Sequence, residues 1–149
     1  MRTVDVAWDQ AAERFTASGT IRDHEITINA PGQPDVKRRP TGFSASELLL
    51  AGIGSCSAWD VVEILRKTRT EVADLRVRVT GEQDTDPPWT YRQIHLHFTF
   101  QGPDIDPVVI ERAIRLSVDK YCSVIATVRA AADVTDSWEI VEEPAVPVA

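Results

Sequence analysis

A single stretch over residues 44–67 decides the fold of this chain, and it reads SASELLLAGIGSCSAWDVVEILRK. Ser44 and Glu47 at its start have the spacing of a capping box, and Arg66 and Lys67 give it a basic end. Its middle is apolar or small on every side, which is typical of a helix that other elements or a second chain cover. The stretch therefore predicts one long helix that is buried over most of its surface.

Alternating apolar and polar residues predict β-strands on both sides of this helix. Before it, two or three antiparallel strands are indicated by Val4, Val6, Trp8, Ile26 and Ile28. After it, two strands joined around residues 86–88 are indicated by Leu75, Val77, Val79, Ile94, Leu96, Phe98 and Phe100. Proline and glycine crowd residues 31–42, and because they disrupt regular pairing we predict a surface loop there.

Helical signals return in the C-terminal third of the chain. Asp106 followed by Pro107 is a typical helix start, and apolar residues at helical spacing extend this helix to about Cys122. Ser123 can begin a short helix through Val128, after which we expect a closing strand and a tail over residues 144–149. The order β-β-β-α-β-β-α-α-β predicts an α+β fold, and the length fits a single domain over residues 1–149.

Charge and composition narrow the possible partners. The net charge is -7 and the tight cationic cluster is Lys-Arg-Arg at residues 37–39, so we do not expect nucleic acid as a partner. The first residues lack the apolar run of a signal peptide, and we expect no segment of membrane-spanning length and a cytoplasmic location. In a reducing cytosol, a disulfide is more often catalytic or redox-sensing than structural.

Cys56 and Cys122 are the two cysteines of the chain and its strongest indication of chemistry. They are too far apart in sequence to form a local redox motif, so only the fold can bring them together. Cys56 lies in mid-helix, where it fills space as a small apolar residue unless a nearby cation stabilises its thiolate. Cys122 precedes the short helix, whose N-terminal end would favour a thiolate. The residues alone leave open whether the two thiols act together.

Other polar residues have structural explanations. His95 and His97 have a spacing that can hold zinc, with His24 as a conceivable third ligand, but they lie on the polar face of their strand. We expect surface histidines there, with neither a metal site nor a cofactor. Glu47 is explained by the capping box, although it could also be a carboxylate that orients a cation near Cys56.

The acidic residues farther along the long helix also have a simple explanation. Asp60 and Glu63 fall on the side of the helix that carries Lys67. Side chains three or four residues apart are neighbours on a helix surface, so we expect ordinary pairing between opposite charges along this side.

The segments around the two cysteines make the chain similar to a known family. The chain resembles the OsmC/Ohr family, osmotically inducible and organic hydroperoxide resistance proteins, and most closely its YhfA-like branch. The similar segments are SELLLAGIGSCSAWDVVEIL over residues 46–65, IERAIRLSVDKYCSV over residues 110–124 and WEIVEE over residues 138–143. The resemblance covers nearly the whole chain. It implies an OsmC-like fold, in which curved antiparallel sheets wrap the long central helices of an intertwined homodimer with active sites at the subunit interface.

The resemblance also implies a cofactor-free thiol peroxidase. In that activity Cys56 attacks an organic hydroperoxide and becomes a sulfenic acid, with which Cys122 condenses to a disulfide. An external thiol or dithiol then reduces the disulfide by exchange. An apolar pocket around Leu49, Ile53 and Trp59 would favour organic over inorganic peroxide.

The chain departs from the family pattern at the groups that activate the thiol. The peroxidase branches begin this helix with Asn-Pro-Glu, whose carboxylate holds an arginine over the reactive cysteine. This chain has Ser-Ala-Ser over residues 44–46, and Glu47 follows one residue later, a rotation of about 100° around a helix. The arginine has no matching motif, and its candidates are Arg14, Arg38 and Arg39. The alternative to an enzyme is a non-enzymatic redox sensor, or a binder of a small apolar ligand, with the same fold.

Overall fold

The computed structural model of the chain describes residues 2–11, 14–19, 24–29 and 42–141. The predicted surface loop over residues 31–42 lies outside the described residues except for Gly42, and so does the predicted tail. The chain divides into two compact units, residues 1–49 and 50–149, and each unit is described by itself. The single domain over residues 1–149 stays a prediction.

The first unit contains a sheet with the strand order β1-β2-β3-β4. These strands are β1 (Val4–Asp9), β2 (Arg14–Gly19), β3 (Glu25–Asn29) and the two-residue β4 (Phe43–Ser44). The strands β1, β2 and β3 pair antiparallel, which confirms the predicted N-terminal strands, and β4 adds a short parallel pairing to β3. The rings of Trp8 and Phe15, which face each other across β1 and β2, have centroids 4.8 Å apart.

The predicted long helix forms as α1 (Ala45–Lys67), directly after Ser44. Its start is the capping box that the sequence indicates. The Ser44 backbone N–H donates to a Glu47 carboxylate oxygen at 2.8 Å, and the Glu47 N–H donates to the Ser44 hydroxyl at 3.2 Å. These reciprocal bonds satisfy backbone donors that the first turn of a helix cannot pair internally.

The second unit contains a sheet with the order β5-β6-β7. Its strands are β5 (Asp74–Gln83), β6 (Tyr91–Gln101) and β7 (Asp133–Val141). The pair β5–β6 is antiparallel as predicted, whereas β6–β7 is parallel, with Leu96 opposite Asp136. A parallel pair requires a crossover, and the helices between β6 and β7 provide it. The sheets are therefore mixed, and the expectation of wholly antiparallel sheets is wrong at β7 and at β4.

The crossover consists of two helices joined by one turn of π-helix. They are α2 (Pro107–Leu116), the π-helical segment (Ser117–Tyr121) and α3 (Ser123–Val128). Asp106 caps α2, since its carboxylate accepts the Val108 N–H at 2.9 Å. The predicted second helix and the predicted short helix are both confirmed. The change to π-helical geometry before Cys122 was not predicted, and such turns occur frequently at functional sites.

The core of the second unit lies between its sheet and its helices. The buried face of β6 supplies Leu96 and Phe98, and α1 and α2 cover it with other fully buried residues. Those residues are Ile53, Val61, Ile110, Ala113 and Ile114. Gly54 allows α1 to lie close to β5, because a Cβ atom at this position would be 2.8 Å from Val79 Cγ2.

Helix α1 is also apolar outside this core. By length and composition α1 could cross a membrane, so the expectation that no segment has membrane-spanning length is wrong. Core helices of soluble proteins have the same properties, and Ile53, Val61 and Leu65 place one face of α1 in such a core. Trp59, on another face of α1, is 64% exposed.

Candidate active site

The fold brings Cys56 and Cys122 together with a third group, the carboxylate of Asp60. The two Sγ atoms and one carboxylate oxygen all lie within 4.8 Å of one another, and we call these three residues the thiol cluster. Cys56 and Asp60 are four residues apart on α1 and so project from the same side of the helix. Cys122 comes from the junction of the π-helical segment and α3. Both cysteines are free thiols.

Cys122 is the N-cap residue of α3. Its sulfur accepts the Ile125 N–H at 3.5 Å, and its side chain is only 3% exposed. Burial, together with the neighbouring Cys56, raises the pKa of the Cys122 thiol to about 11, although the N–H groups of Ile125 and Val124 offset part of the rise. The sequence correctly placed Cys122 at a helix start. The expectation that this start would favour its thiolate is wrong, because burial outweighs the N–H groups.

Asp60 is held in the thiol cluster by the buried Ser117 hydroxyl, which is itself paired with the Ser57 hydroxyl. The Ser117 hydroxyl donates to Asp60 Oδ2 at 3.3 Å and to the Ser57 carbonyl at 3.2 Å, so its single proton is shared. The Ser57 and Ser117 hydroxyl oxygens are 2.8 Å apart, and both residues are fully buried. This pair joins α1 to the π-helical segment and fixes the carboxylate beside the sulfurs.

The surroundings of Asp60 oppose its ionisation in part. Burial raises the pKa of the Asp60 carboxyl above its usual value, and the hydrogen bond from Ser117 offsets part of that rise. The expectation of ordinary charge pairing on the acidic side of α1 is confirmed for Glu63 but wrong for Asp60. Asp60 bonds to Ser117, and Glu63 pairs with Arg66 at 2.8 Å. The role of Asp60 was missed, and the usable signal was its position one helical turn after Cys56.

A pocket of about 520 Å³ opens beside the thiol cluster, and Asp60 forms part of its wall. Its apolar and aromatic lining comes from Ile64, Val109, Leu116 and Tyr121. Lys67 and Arg112 supply positive charge to the same lining. The predicted lining residues lie elsewhere, since Ile53 is fully buried in the core and Trp59 is exposed.

The structure accounts for Glu47 without reference to a thiol. Its carboxylate accepts both the N–H and the hydroxyl of Ser44, and these bonds lower the pKa of Glu47. Its supporting role for Cys56 stays a prediction. Among the candidate arginines, Arg14 has a buried Nε atom with no hydrogen-bond partner, whereas Arg38 and Arg39 lie outside the described residues. The identity of the activating arginine stays open.

His95 and His97 form a row along β6 that is bonded to β7, and we call these two residues the histidine row. His95 Nδ1 is 2.8 Å from the Thr135 hydroxyl, and His95 Nε2 and His97 Nδ1 are each 2.8 Å from the Ser137 hydroxyl. His97 Nε2 is 3.3 Å from a Glu139 carboxylate oxygen. All four ring nitrogens therefore have a partner, which supports a structural role for the pair.

Comparison with known proteins identifies the family. The model of the family described as OsmC-like protein matches residues 37–136, which is more than half of the chain. The chain therefore belongs to the OsmC-like protein family, and the resemblance noted in the sequence is confirmed. Protein YhfA of Escherichia coli (strain K12) is 41% identical over 98 residues, which make up 66% of this chain and 73% of that protein.

Solved structures agree with this assignment. A hypothetical protein from Aquifex aeolicus VF5 has a TM-score of 0.80 and 31% identity, with 97% of this chain and 98% of that chain covered. The organic hydroperoxide resistance protein OhrB of Bacillus subtilis has a TM-score of 0.62 and 14% identity, with 93% and 98% covered. At that identity the likeness to OhrB shows the fold alone. The predicted α+β, OsmC-like architecture with a long central helix is confirmed.

Proposed function

We propose that this protein is a thiol peroxidase that reduces organic hydroperoxides. The observation that carries the proposal is the approach of the Cys56 and Cys122 sulfurs to within 4.8 Å. A disulfide between the two cysteines requires the sulfurs to approach from this separation to about 2.05 Å. Membership of the OsmC-like family supports the assignment, and OhrB, which has the same fold, is an organic hydroperoxide resistance protein.

Burial divides the roles of the two thiols. Cys56 is half-buried and Cys122 is buried, so a peroxide can reach Cys56 more easily. The Cys56 thiolate attacks one oxygen of the hydroperoxide, the O–O bond breaks, and an alcohol leaves after taking up a proton. Cys56 is then a sulfenic acid. Cys122 attacks its sulfur, which forms the disulfide and releases water.

The second step requires the Cys122 thiol to lose its proton, and its raised pKa makes that loss difficult. The Asp60 carboxylate lies within 4.8 Å of the Cys122 sulfur and can accept this proton. The proton then goes to the departing hydroxyl group of the sulfenic acid, which leaves as water. Asp60 is therefore the general base of disulfide formation in this mechanism.

We further propose an oligomeric state, a reductant and a location for this enzyme. We assign a homodimer, because the exposed apolar part of α1 around Trp59 needs a cover and a second copy of the chain can provide it. An external thiol or dithiol restores the two cysteines, which fits a cytoplasmic enzyme without a cofactor. The charge of -7 gives no support to nucleic acid as a partner.

The test uses one equivalent of cumene hydroperoxide on the fully reduced protein. Mass spectrometry should detect an intramolecular disulfide between Cys56 and Cys122, and Cys56→Ser should abolish peroxide consumption. Ser55→Ala is the matched control, since this exposed neighbour on α1 bonds only the Gly52 carbonyl among the described contacts. Unchanged peroxide consumption by Cys56→Ser would reject the proposal.

Two observations favour the alternative of a non-enzymatic sensor or binder. A carboxylate faces the two thiols in the thiol cluster, and negative charge disfavours a reactive thiolate. The adjacent pocket of about 520 Å³ has apolar walls that suit a small ligand. Steady-state turnover with a dithiol donor separates the two functions, because a sensor oxidises once and stops.

A further inference from the structure

We propose that the reduced thiol cluster binds a soft divalent cation such as zinc through Cys56, Cys122 and Asp60. The ligands are the two sulfurs and one carboxylate oxygen, which already lie within 4.8 Å of one another. Thiolate sulfur selects zinc and cadmium over magnesium and calcium, which prefer oxygen ligands. This inference does not depend on peroxidase activity, because it concerns only the dithiol form.

The spacing of the ligands suits a tetrahedral site after a small contraction. In tetrahedral zinc sites the metal–sulfur and metal–oxygen distances place neighbouring ligand atoms about 3.5–3.8 Å apart. The thiol cluster exceeds this spacing by at most about 1.3 Å. Cys56 is half-buried and its side chain can rotate to close that gap, whereas Cys122 is fixed by its position at the start of α3.

Two features around the ligands support metal binding over accidental proximity. The Ser117 hydroxyl bonds the Asp60 carboxylate and is itself tied to Ser57, and such outer hydrogen bonds are what orient metal-ligating carboxylates. The pocket lined by Asp60 gives an entry path from solvent. Three protein ligands leave the fourth position to water, as in an open zinc site.

The charges near the thiol cluster suit a bound cation. Two thiolates and one carboxylate carry three negative charges, so a divalent cation leaves a net charge of about −1 on the site. Lys67 and Arg112 line the adjoining pocket and can offset that remaining charge. A disulfide between Cys56 and Cys122 removes both sulfur ligands, so metal binding and disulfide formation exclude each other.

The first experiment titrates cadmium into the fully reduced, chelator-treated full chain. We expect one cadmium per chain by native mass spectrometry, together with the ultraviolet charge-transfer absorption of thiolate bound to cadmium. An excess of zinc should compete with cadmium and reduce this absorption. Asp60→Asn should keep the absorption but weaken binding by at least about 10-fold, since loss of a ligand costs no less than loss of a group that orients one. Glu63→Gln is the matched control, because Glu63 lines the same pocket but pairs with Arg66, and it should bind like the wild type.

Two results would overturn the proposal. One is wild-type affinity in Asp60→Asn, since the thiols alone would then hold the cation. The other is wild-type stoichiometry and absorption in Cys56→Ser, since the cation would then lie elsewhere. Circular dichroism of each variant establishes that it is folded before its binding is compared.

A redox experiment tests the exclusion between metal and disulfide. Diamide forms disulfides without any peroxidase activity, so its result is independent of the proposed enzymatic function. We expect diamide-treated protein to bind no cadmium, and reduction with a dithiol followed by removal of that dithiol to restore one cadmium per chain. Equal cadmium affinity of the oxidised and reduced proteins would contradict the ligand assignment.

Discussion

The thiol cluster and the histidine row each bring two side chains with potential chemistry close together, but they differ in how fully hydrogen bonds occupy those side chains. On β6, the four ring nitrogens of His95 and His97 are bonded to side chains of β7. In the thiol cluster, the Cys122 sulfur accepts a long bond from the Ile125 N–H and the sulfurs face a carboxylate. The difference teaches that hydrogen-bond partners, which residue type and spacing do not reveal, separate a structural pair from a candidate for chemistry.

The two regions also differ in how the chain brings their residues together. The histidine row needs only a strand and its parallel neighbour, so its members are two residues apart and bond the residues directly or diagonally opposite on β7. The thiol cluster needs α1 to meet the junction of the π-helical segment and α3. This contact requires the helices to pack around the core, and as a consequence the Cys122 side chain is buried. Burial then controls the proton affinity of the sulfur.

The largest expected effect is a loss of disulfide formation on mutation of the thiol cluster but not on mutation of the histidine row. In Cys122→Ser, cumene hydroperoxide should produce no disulfide, and a sulfenic acid on Cys56 should accumulate, as measured by dimedone labelling and mass spectrometry. Serine is a preferred N-cap residue, so this variant keeps a hydrogen-bond acceptor for the Ile125 N–H. The double variant His95→Gln/His97→Gln should form the Cys56–Cys122 disulfide at the wild-type rate.

Each arm of this comparison can fail on its own. In one such result, Cys122→Ser turns over peroxide at the wild-type rate and gives no dimedone adduct. That result would show that Cys122 does not resolve the sulfenic acid. Loss of disulfide formation in the histidine double variant would break the contrast, because the histidine row would then contribute to the chemistry.

A second, smaller effect concerns the pH dependence of the Cys122 thiol in metal-free, reduced protein. Since the pKa of this thiol is about 11, it is protonated at neutral pH and its thiolate fraction grows about tenfold per pH unit up to that pKa. Alkylation of Cys122 by iodoacetamide, followed by mass spectrometry, should rise with this slope between neutral pH and about pH 10. Cys56→Ser removes a neighbour that raises the pKa, so alkylation should be faster in this variant at each pH. A plateau near pH 8 in the wild type would contradict the raised pKa.

Local sequence patterns were sufficient to predict most of the fold. The capping box at Ser44 and Glu47 and the proline after Asp106 mark helix starts with their own hydrogen bonds, so α1 and α2 could be located without tertiary information. Alternation along β6 predicted which side chains enter the core. The parallel pairing of β7 could not be predicted in this way, because it depends on how the crossover helices return the chain to β6.

The candidate site was predictable only in part. Both cysteines could be identified from the residues around them, but their approach depends on tertiary packing. From the sequence, Asp60 was expected to pair with charges on the helix surface. Its actual partner, the buried Ser117, is remote in sequence and so could not be recognised. The pKa of Cys122 was predicted in the wrong direction for the same reason. A helix start is visible in the sequence, whereas the depth at which the helix start is buried is not.

The smallest expected effect is a difference in the free energy of unfolding between two variants, each of which loses one hydroxyl group from one of the two regions. Ser117→Ala removes the donor to Asp60 and leaves the Ser57 hydroxyl without its buried partner, so the free energy of unfolding should fall by about 1–3 kcal/mol. Thr135→Val removes the hydroxyl bonded to His95, but Thr135 is exposed and water can replace it, so the loss should be below about 0.5 kcal/mol. Urea denaturation of both variants measures the difference. If both variants lost the same free energy of unfolding, the buried Ser57–Ser117 pair would stabilise the protein no more than one exposed hydroxyl does. The fixed position of Asp60 would then need another cause.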